Sequence, residues 1–319
     1  MTGRSELTAV KPAQPKRRGA HVQTTTILSV QGGLGNQLFE WGFAHALAAR
    51  GARVVIDTVR CRGNRPLELG ALLDGYPRLS RPLGLAAVLA QKRGLLAGNW
   101  AGSGSMRLVQ EPGFSFDQGF TDGLLRPEGA TNYVLGYFQS PKYFAGQEQE
   151  VRTKVSGHLH GMLTQQGKSF AAALAADPHS AAVHVRRGDY LSNPVAAAHH
   201  GSLQGSYYQS ALSTLRDLGK HNVLWFSDDT DWVAAELARP GDTVATPALT
   251  AELTTGAGGE IALMAACSSR VIANSSFSWW AGWLGGDSTA GSPVIAPAQW
   301  FSGSPDPAAD LVPGHWMRF

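Results

Sequence analysis

With 319 residues, 43% of them hydrophobic and only 16% charged, the chain has room for one large core or two of ordinary size, and too much apolar content for general disorder. Its two cysteines, Cys61 and Cys267, exclude a disulfide framework, and neither belongs to a Cys-x-x-Cys pair, so a reducing, cytoplasmic setting is expected. The formal charge of +3 arises in residues 1–25, where Arg4, Lys11, Lys16, Arg17 and Arg18 face Glu6 alone; the near-neutral remainder excludes nucleic acid as a partner.

That proline-containing tail reads as a disordered appendage, with a weak attraction to the inner face of a membrane as the further option. No apolar run approaches the ~18 residues of a membrane span, and the first residues lack the apolar stretch of a signal peptide. Residues 26–30 then form a short apolar strand ending at a glycine cluster. A helical pattern follows from about Gln37 to Arg50, Gly51 is its stop, and the β-branched run Arg53–Asp57 is the next strand. Between Cys61 and Asp122 the periodicity is weak and predicts only mixed helix and loop. A further strand is expected over Thr131–Phe138, and residues 145–180 read as a helical connection.

The rest is more regular. Strand-like segments at Ala181–Val185, Asn222–Phe226, Arg270–Ala273 and Val294–Ala296 alternate with helical patterns near Tyr207–Leu218, Trp232–Leu237, Glu260–Cys267 and Phe277–Leu284. Such alternation predicts an α/β chain with parallel sheets covered on both faces, in two domains around a cleft. Ligands of such sheets sit where strands end and helices begin.

Four segments lie at those ends. Gly33, Leu34, Gly35, Asn36 and Gln37 join the first strand to the first helix, where glycines let backbone N–H groups approach an anion; a plain tight turn is the alternative. The segment is neither a P-loop nor a dinucleotide fingerprint, since Leu38 stands where a third glycine belongs. His184-Val185-Arg186-Arg187-Gly188-Asp189-Tyr190 runs off a buried strand, and paired guanidinium groups there read either as a diphosphate clamp or as partners of Asp189. His184 shares the face of Arg186. Phe226-Ser227-Asp228-Asp229-Thr230-Asp231 offers carboxylates for a metal, for acid/base work or for capping, with Asp231 as the cap of the next helix. His158, His160, His199 and His200 lack partners for a zinc site. Finally, Asn274-Ser275-Ser276-Phe277-Ser278 offers hydroxyls and amides as a second phosphate nest, and Trp279, Trp280 and Trp283 read as core.

Taken together and in order, these segments resemble the α-1,2-fucosyltransferases, bacterial-type galactoside 2-α-L-fucosyltransferases, and Gly136–Phe144 and Tyr207-Tyr208 are similar to family segments as well. The resemblance runs from about Ile27 to Ala296. It implies a GT-B-like fold of two Rossmann-like domains facing a central cleft, an acceptor-side domain over 26–165 and a GDP-fucose-binding domain over 166–319. It further implies inverting transfer of L-fucose from GDP-β-L-fucose to the 2-hydroxyl of a terminal β-galactoside, without metal or other cofactor, on a galactose-terminated glycan or glycoconjugate. Under it, Arg186, and Arg187 second, stabilise the departing β-phosphate, while Ser275, Ser276 and Phe277 contact the pyrophosphate. Glu260 accepts from guanine, His184 lies near the base or ribose, and Asp189, Asp228 and Asp229 orient the arginines or the ribose. Gly33 to Gln37 and Asn274 complete the donor-binding set. Three positions depart from the family pattern: Pro141 and Glu260, where an acidic residue and an aspartate are frequent, and Ser269-Arg270, where a histidine is common.

For the general base, Glu40 and Asp57 are the two carboxylates weighed, and neither is assigned. The competing readings are a GDP-sugar-binding protein without turnover and a fucosyltransferase of different linkage and acceptor. A nucleotide-dependent oxidoreductase is disfavoured by Leu38 and by the Asn36-Gln37 pair.

Overall fold

The computed structural model describes residues 24–63, 65–92, 100–101, 105–125, 131–187, 203–286, 292–301 and 310–319. Most of the basic tail, Asp189, His199 and His200 lie outside the described residues. The first half runs β1 (Thr25–Ser29), α1 (Leu34–Ala49), β2 (Arg53–Asp57), α2 (Arg81–Lys92), β3 (Trp100–Ala101), β4 (Ser105–Gln110), α3 (Gln118–Leu124) and β5 (Thr131–Leu135). Two connecting helices follow, α4 (Glu148–His160) and α5 (Gln165–Ala176). The second half begins β6 (Ser180–Val185), α6 (Gly205–Asp217), β7 (Asn222–Ser227), α7 (Thr230–Glu236) and β8 (Thr243–Val244). It continues α8 (Pro247–Leu253), α9 (Ala257–Ala266), β9 (Ser269–Val271), α10 (Ser276–Leu284), β10 (Val294–Ala296) and β11 (Met317–Arg318).

Two sheets result, in the orders β2-β1-β5-β4-β3 and β11-β10-β9-β6-β7-β8. Every pairing between them is parallel except β3 with β4. Counted from β6, the second sheet has the order 3-2-1-4-5-6 of a doubly wound nucleotide-binding fold, with its reversal between β6 and β9. The first sheet reverses between β1 and β5. The expected pair of Rossmann-like α/β halves is therefore present.

Differences from the predicted elements have local causes. α1 starts at Leu34, because Gly35 sits inside its first turn and hides the helical signal there. α7 is capped by Asp229, which accepts from Trp232 N–H at 3.2 Å; Asp231 lies within the first turn. The stretch read as helix and loop contains β4, whose alternating Met106 and Leu108 pack against a small cluster that includes Ile27, Val55 and Ala87.

The halves share one continuous core. Phe39 of α1 packs on Trp279 and Trp280 of α10 at ring separations of 4.5 and 5.0 Å, and Phe144 stacks on Trp280 at 5.9 Å. The tryptophans are thus core residues, buried where the two halves meet. The end of the chain ties back to the first half, with Ser140 Oγ donating to the Asp310 carbonyl at 2.8 Å and Phe114 stacked on Phe301 at 4.4 Å.

Candidate active site

The carboxyl ends of strands from both sheets open into one cavity of about 490 Å³. From the first half come Gly32 to Asn36 after β1, Arg65 and Glu68 from the segment after β2, and Tyr137 and Gln139 after β5. From the second come His184 and Arg186 at the end of β6, Ser227 and Asp228 at the end of β7, Asn274 to Phe277 after β9, and Ala257, Glu260 and Trp300. The two strand-order reversals face each other across this space.

Arg186 reaches the cavity with Nη1 2.9 Å from Asp228 Oδ2, and Asp228 Oδ1 accepts the Arg187 N–H at 2.9 Å. Asp228 thus fixes the strand end and aims the arginine. Arg187 turns away. Its guanidinium lies 3.7 Å over the Trp232 ring and its Nε contacts Asp229 Oδ2 at 3.3 Å, so Arg187 and Asp229 hold the start of α7 and do not line the cavity. Of the two arginines expected to form a clamp, Arg186 lines the cavity and Arg187 does not.

His184 is buried beside Phe277, ring centroids 5.6 Å apart, and its Nδ1 has no hydrogen-bond partner among the described residues. Burial, reinforced by the Arg186 charge, pushes its pKa down to about 3, so the imidazole is neutral at physiological pH. Glu260 sits in the first turn of α9, and burial raises its carboxyl pKa. Ser275 caps α10 by accepting from Phe277 N–H at 3.3 Å. Of the three departures from the family pattern, only Glu260 lies at the cavity; buried Arg270 spends its guanidinium on the carbonyls of Cys267 and Ala265, and Pro141 opens a short 3-10 turn.

Gly33 to Asn36 line the cavity, and the segment also joins the two halves. A Cβ on Gly35 would lie 2.5 Å from Phe277 N, so this glycine lets the starts of α1 and α10 touch backbone to backbone. Trp280 Nε1 donates to the Gly35 carbonyl at 2.9 Å across the same junction. Asn36 bridges the halves, its Oδ1 accepting from Gln139 Nε2 at 2.8 Å and from Ser276 Oγ at 2.6 Å. Gln37 is fully buried and outside the cavity lining: its Nε2 donates to the carbonyls of Gly32 and Pro66 at 2.9 and 2.7 Å, and its Oε1 accepts from Glu68 N–H at 2.9 Å. It holds the turn and the 66–68 segment together.

Glu40 and Asp57 are buried in the first half and outside the cavity lining. Glu40 Oε2 accepts from Gln31 N–H at 3.0 Å, and burial raises its pKa well above the carboxylate range. Asp57 accepts from Tyr133 Oη at 2.6 Å and from Val59 N–H at 2.9 Å. The residues that sequence reasoning missed are Arg65, Glu68, Tyr137, Gln139 and Trp300. Tyr137 and Gln139 lie in a segment already similar to the family, and between them Phe138 takes φ +51°, a strained conformation held by Glu111 Oε2, which accepts from Tyr137 and Phe138 N–H at 2.8 and 3.0 Å. Arg65 and Glu68 lie in the aperiodic stretch and had no signal.

A family model described as glycosyl transferase family 11 matches residues 115–303. The chain belongs to that family. It is 30% identical over 136 residues to the O-antigen biosynthesis glycosyltransferase WbnK of Escherichia coli, covering 42% of this chain and 43% of that one. It is 29% identical over 199 residues to an alpha-1,2-colitosyltransferase of Escherichia coli, covering 60% and 63% of the two chains. These matches span less than two thirds of either relative. Among solved structures it is similar to a family 9 glycosyl transferase from Veillonella parvula (12% identity, TM-score 0.47, 92% and 86% covered). It is also similar to the Escherichia coli ADP-heptose heptosyltransferase II (16% identity, TM-score 0.44, 92% and 90% covered). No described helix is long and apolar enough to cross a membrane.

Proposed function

We propose that this glycosyltransferase moves L-fucose from GDP-β-L-fucose to the 2-hydroxyl of a terminal β-galactoside, with inversion and without a metal. The observation that carries the reading is Arg186 at the reversal between β6 and β9, held by Asp228 and opposed by the hydroxyls and first-turn amides of Ser275 to Phe277. A nucleotide diphosphate in a doubly wound sheet lies at this crevice. In the transition state the bond from the sugar to the β-phosphate oxygen breaks and negative charge gathers on the leaving group. A fixed guanidinium and a helix start stabilise that charge as it develops. Neutral His184 brings a ring nitrogen without a partner among the described residues, which suits a ribose hydroxyl or a base edge, and Glu260 is the acceptor offered to guanine N–H groups. The first half, residues 26–165, takes the acceptor, and residues 166–319 take the donor.

The colitosyl relative supports a second reading in which the transferred sugar is colitose and the linkage is still α-1,2. One assay separates the two: GDP release measured with GDP-fucose, GDP-colitose and GDP-mannose against terminal β-galactosides and other acceptors. Release with GDP-fucose and a β-galactoside is expected. Arg186→Ala is expected to lower it by about 10²–10³-fold with the circular dichroism spectrum unchanged. Turnover confined to another donor, or an Arg186→Ala variant of near-normal rate, overturns the corresponding assignment.

A further inference from the structure

We infer that Glu68 is the general base that deprotonates the acceptor hydroxyl, an inference that rests on the reading just given. An inverting displacement brings the nucleophile to the face of the sugar opposite the leaving group, so a base belongs on the wall across from the group that holds the diphosphate. Among the described residues three carboxylates line the cavity, Glu68, Asp228 and Glu260, and of these Glu68 alone comes from the first half. Asp228 is committed to Arg186 and to the Arg187 N–H, and Glu260 stands on α9 of the second half.

The placement of Glu68 is built. Its backbone N–H donates to Gln37 Oε1 at 2.9 Å, and its carbonyl accepts from His158 Nε2 at 2.9 Å. Partial burial raises the Glu68 pKa, while Arg65 and the Leu34 N–H oppose the rise, which makes the carboxylate a stronger base than a solvated one. Gln37 is a positioning residue for it: the bond to the Glu68 N–H and the two bonds to Gly32 and Pro66 carbonyls set its distance from the glycine turn.

In the step, the acceptor O–H proton passes to a Glu68 oxygen as the acceptor oxygen bonds to the anomeric carbon. The bond from that carbon to the β-phosphate oxygen breaks, and GDP leaves with the electron pair. Glu68 then returns its proton to water.

The test compares wild type with Glu68→Gln, Glu68→Asp and Glu68→Ala, using GDP-fucose, a β-galactoside acceptor and, separately, sodium azide, a nucleophile that needs no deprotonation. Expected for Glu68→Gln is a loss of transfer of about 10²–10⁴-fold with GDP affinity within twofold of wild type. Glu68→Asp should retain part of the activity, and azide should restore GDP release to Glu68→Ala with formation of the α-glycosyl azide. In wild type the acid limb of kcat/KM should lie above the ordinary carboxylate range and disappear in Glu68→Gln. Gln37→Ala should lower kcat at constant donor KM and shift that limb. Glu68→Gln with more than a tenth of wild-type kcat, loss of GDP binding alongside transfer, or azide without effect each overturns the base assignment alone. Wild-type protein that releases no GDP from GDP-fucose with any acceptor overturns the functional reading and this role with it.

Discussion

Gly35→Ala tests whether the glycine segment serves the junction between the halves. The added methyl carbon would lie 2.5 Å from Phe277 N and from Ser276 C, and 2.7 Å from the Ser276 carbonyl oxygen. Ordinary contacts need about 3.5–4.0 Å, and all three atoms are backbone, so no rotamer change relieves the overlap. The start of α10 must retreat by roughly 1 Å, stretching the bonds from Trp280 to Gly35 and from Ser276 to Asn36. Overpacking of this kind costs about 1–3 kcal/mol and a weakened hydrogen bond about 1 kcal/mol more. Alanine returns about 0.8–1 kcal/mol of helix propensity. The net loss is about 1–3 kcal/mol, a fall in Tm of about 1.5–4.5 °C for a chain of this size. Differential scanning calorimetry reads it, with Gly157→Ala as control: Gly157 lies inside α4 with open space around it, and alanine there should raise Tm slightly. Because Ser276 moves, GDP affinity should fall as well. A Gly35→Ala protein with wild-type Tm and wild-type GDP affinity refutes the reasoning.

The neutral, buried His184 has a stability signature. Its folded pKa of about 3 lies below the unfolded 6.5, so the unfolded chain takes up the proton first. The contribution of the ring is complete above pH 6.5 and is lost toward pH 3 at about 1.4 kcal/mol per pH unit. His184→Gln should therefore lose less stability than wild type between pH 6.5 and 4 in urea titrations; parallel curves would count against a neutral buried ring. The Asn36–Ser276 contact should give a coupling of about 0.5–3 kcal/mol in a double-mutant cycle of Asn36→Ala and Ser276→Ala followed by denaturation, and additive losses would exclude a bridge between the halves. Transfer should survive excess EDTA; loss of activity restored by Mn²⁺ would return the Asp228–Asp231 segment to consideration as a metal site.

Much of this architecture is local. Apolar runs between glycines and helical patterns specify β1, β2, β5, β6, β7 and β10 because their burial is uniform and their ends are punctuated, and the loops at the ends of those strands supply most of the cavity. A strand end carrying Arg186 beside a run of carboxylates has few structural solutions, so that part of the site was legible. What the sequence could not determine was which of two adjacent arginines faces the cavity. Just past the end of β6, Arg186 turns toward the cavity and Arg187 onto Trp232, and just past β7, Asp228 pairs with Arg186 and Asp229 with Arg187. The role of Gly35 was likewise hidden, because its neighbour is the backbone of Ser276 and Phe277, about 240 residues away in the chain. Glu68 stands in a stretch without periodicity, and its position depends on buried Gln37 and on His158. Local pattern determined the strands and their chemistry; long-range packing decided which side chains share the cavity.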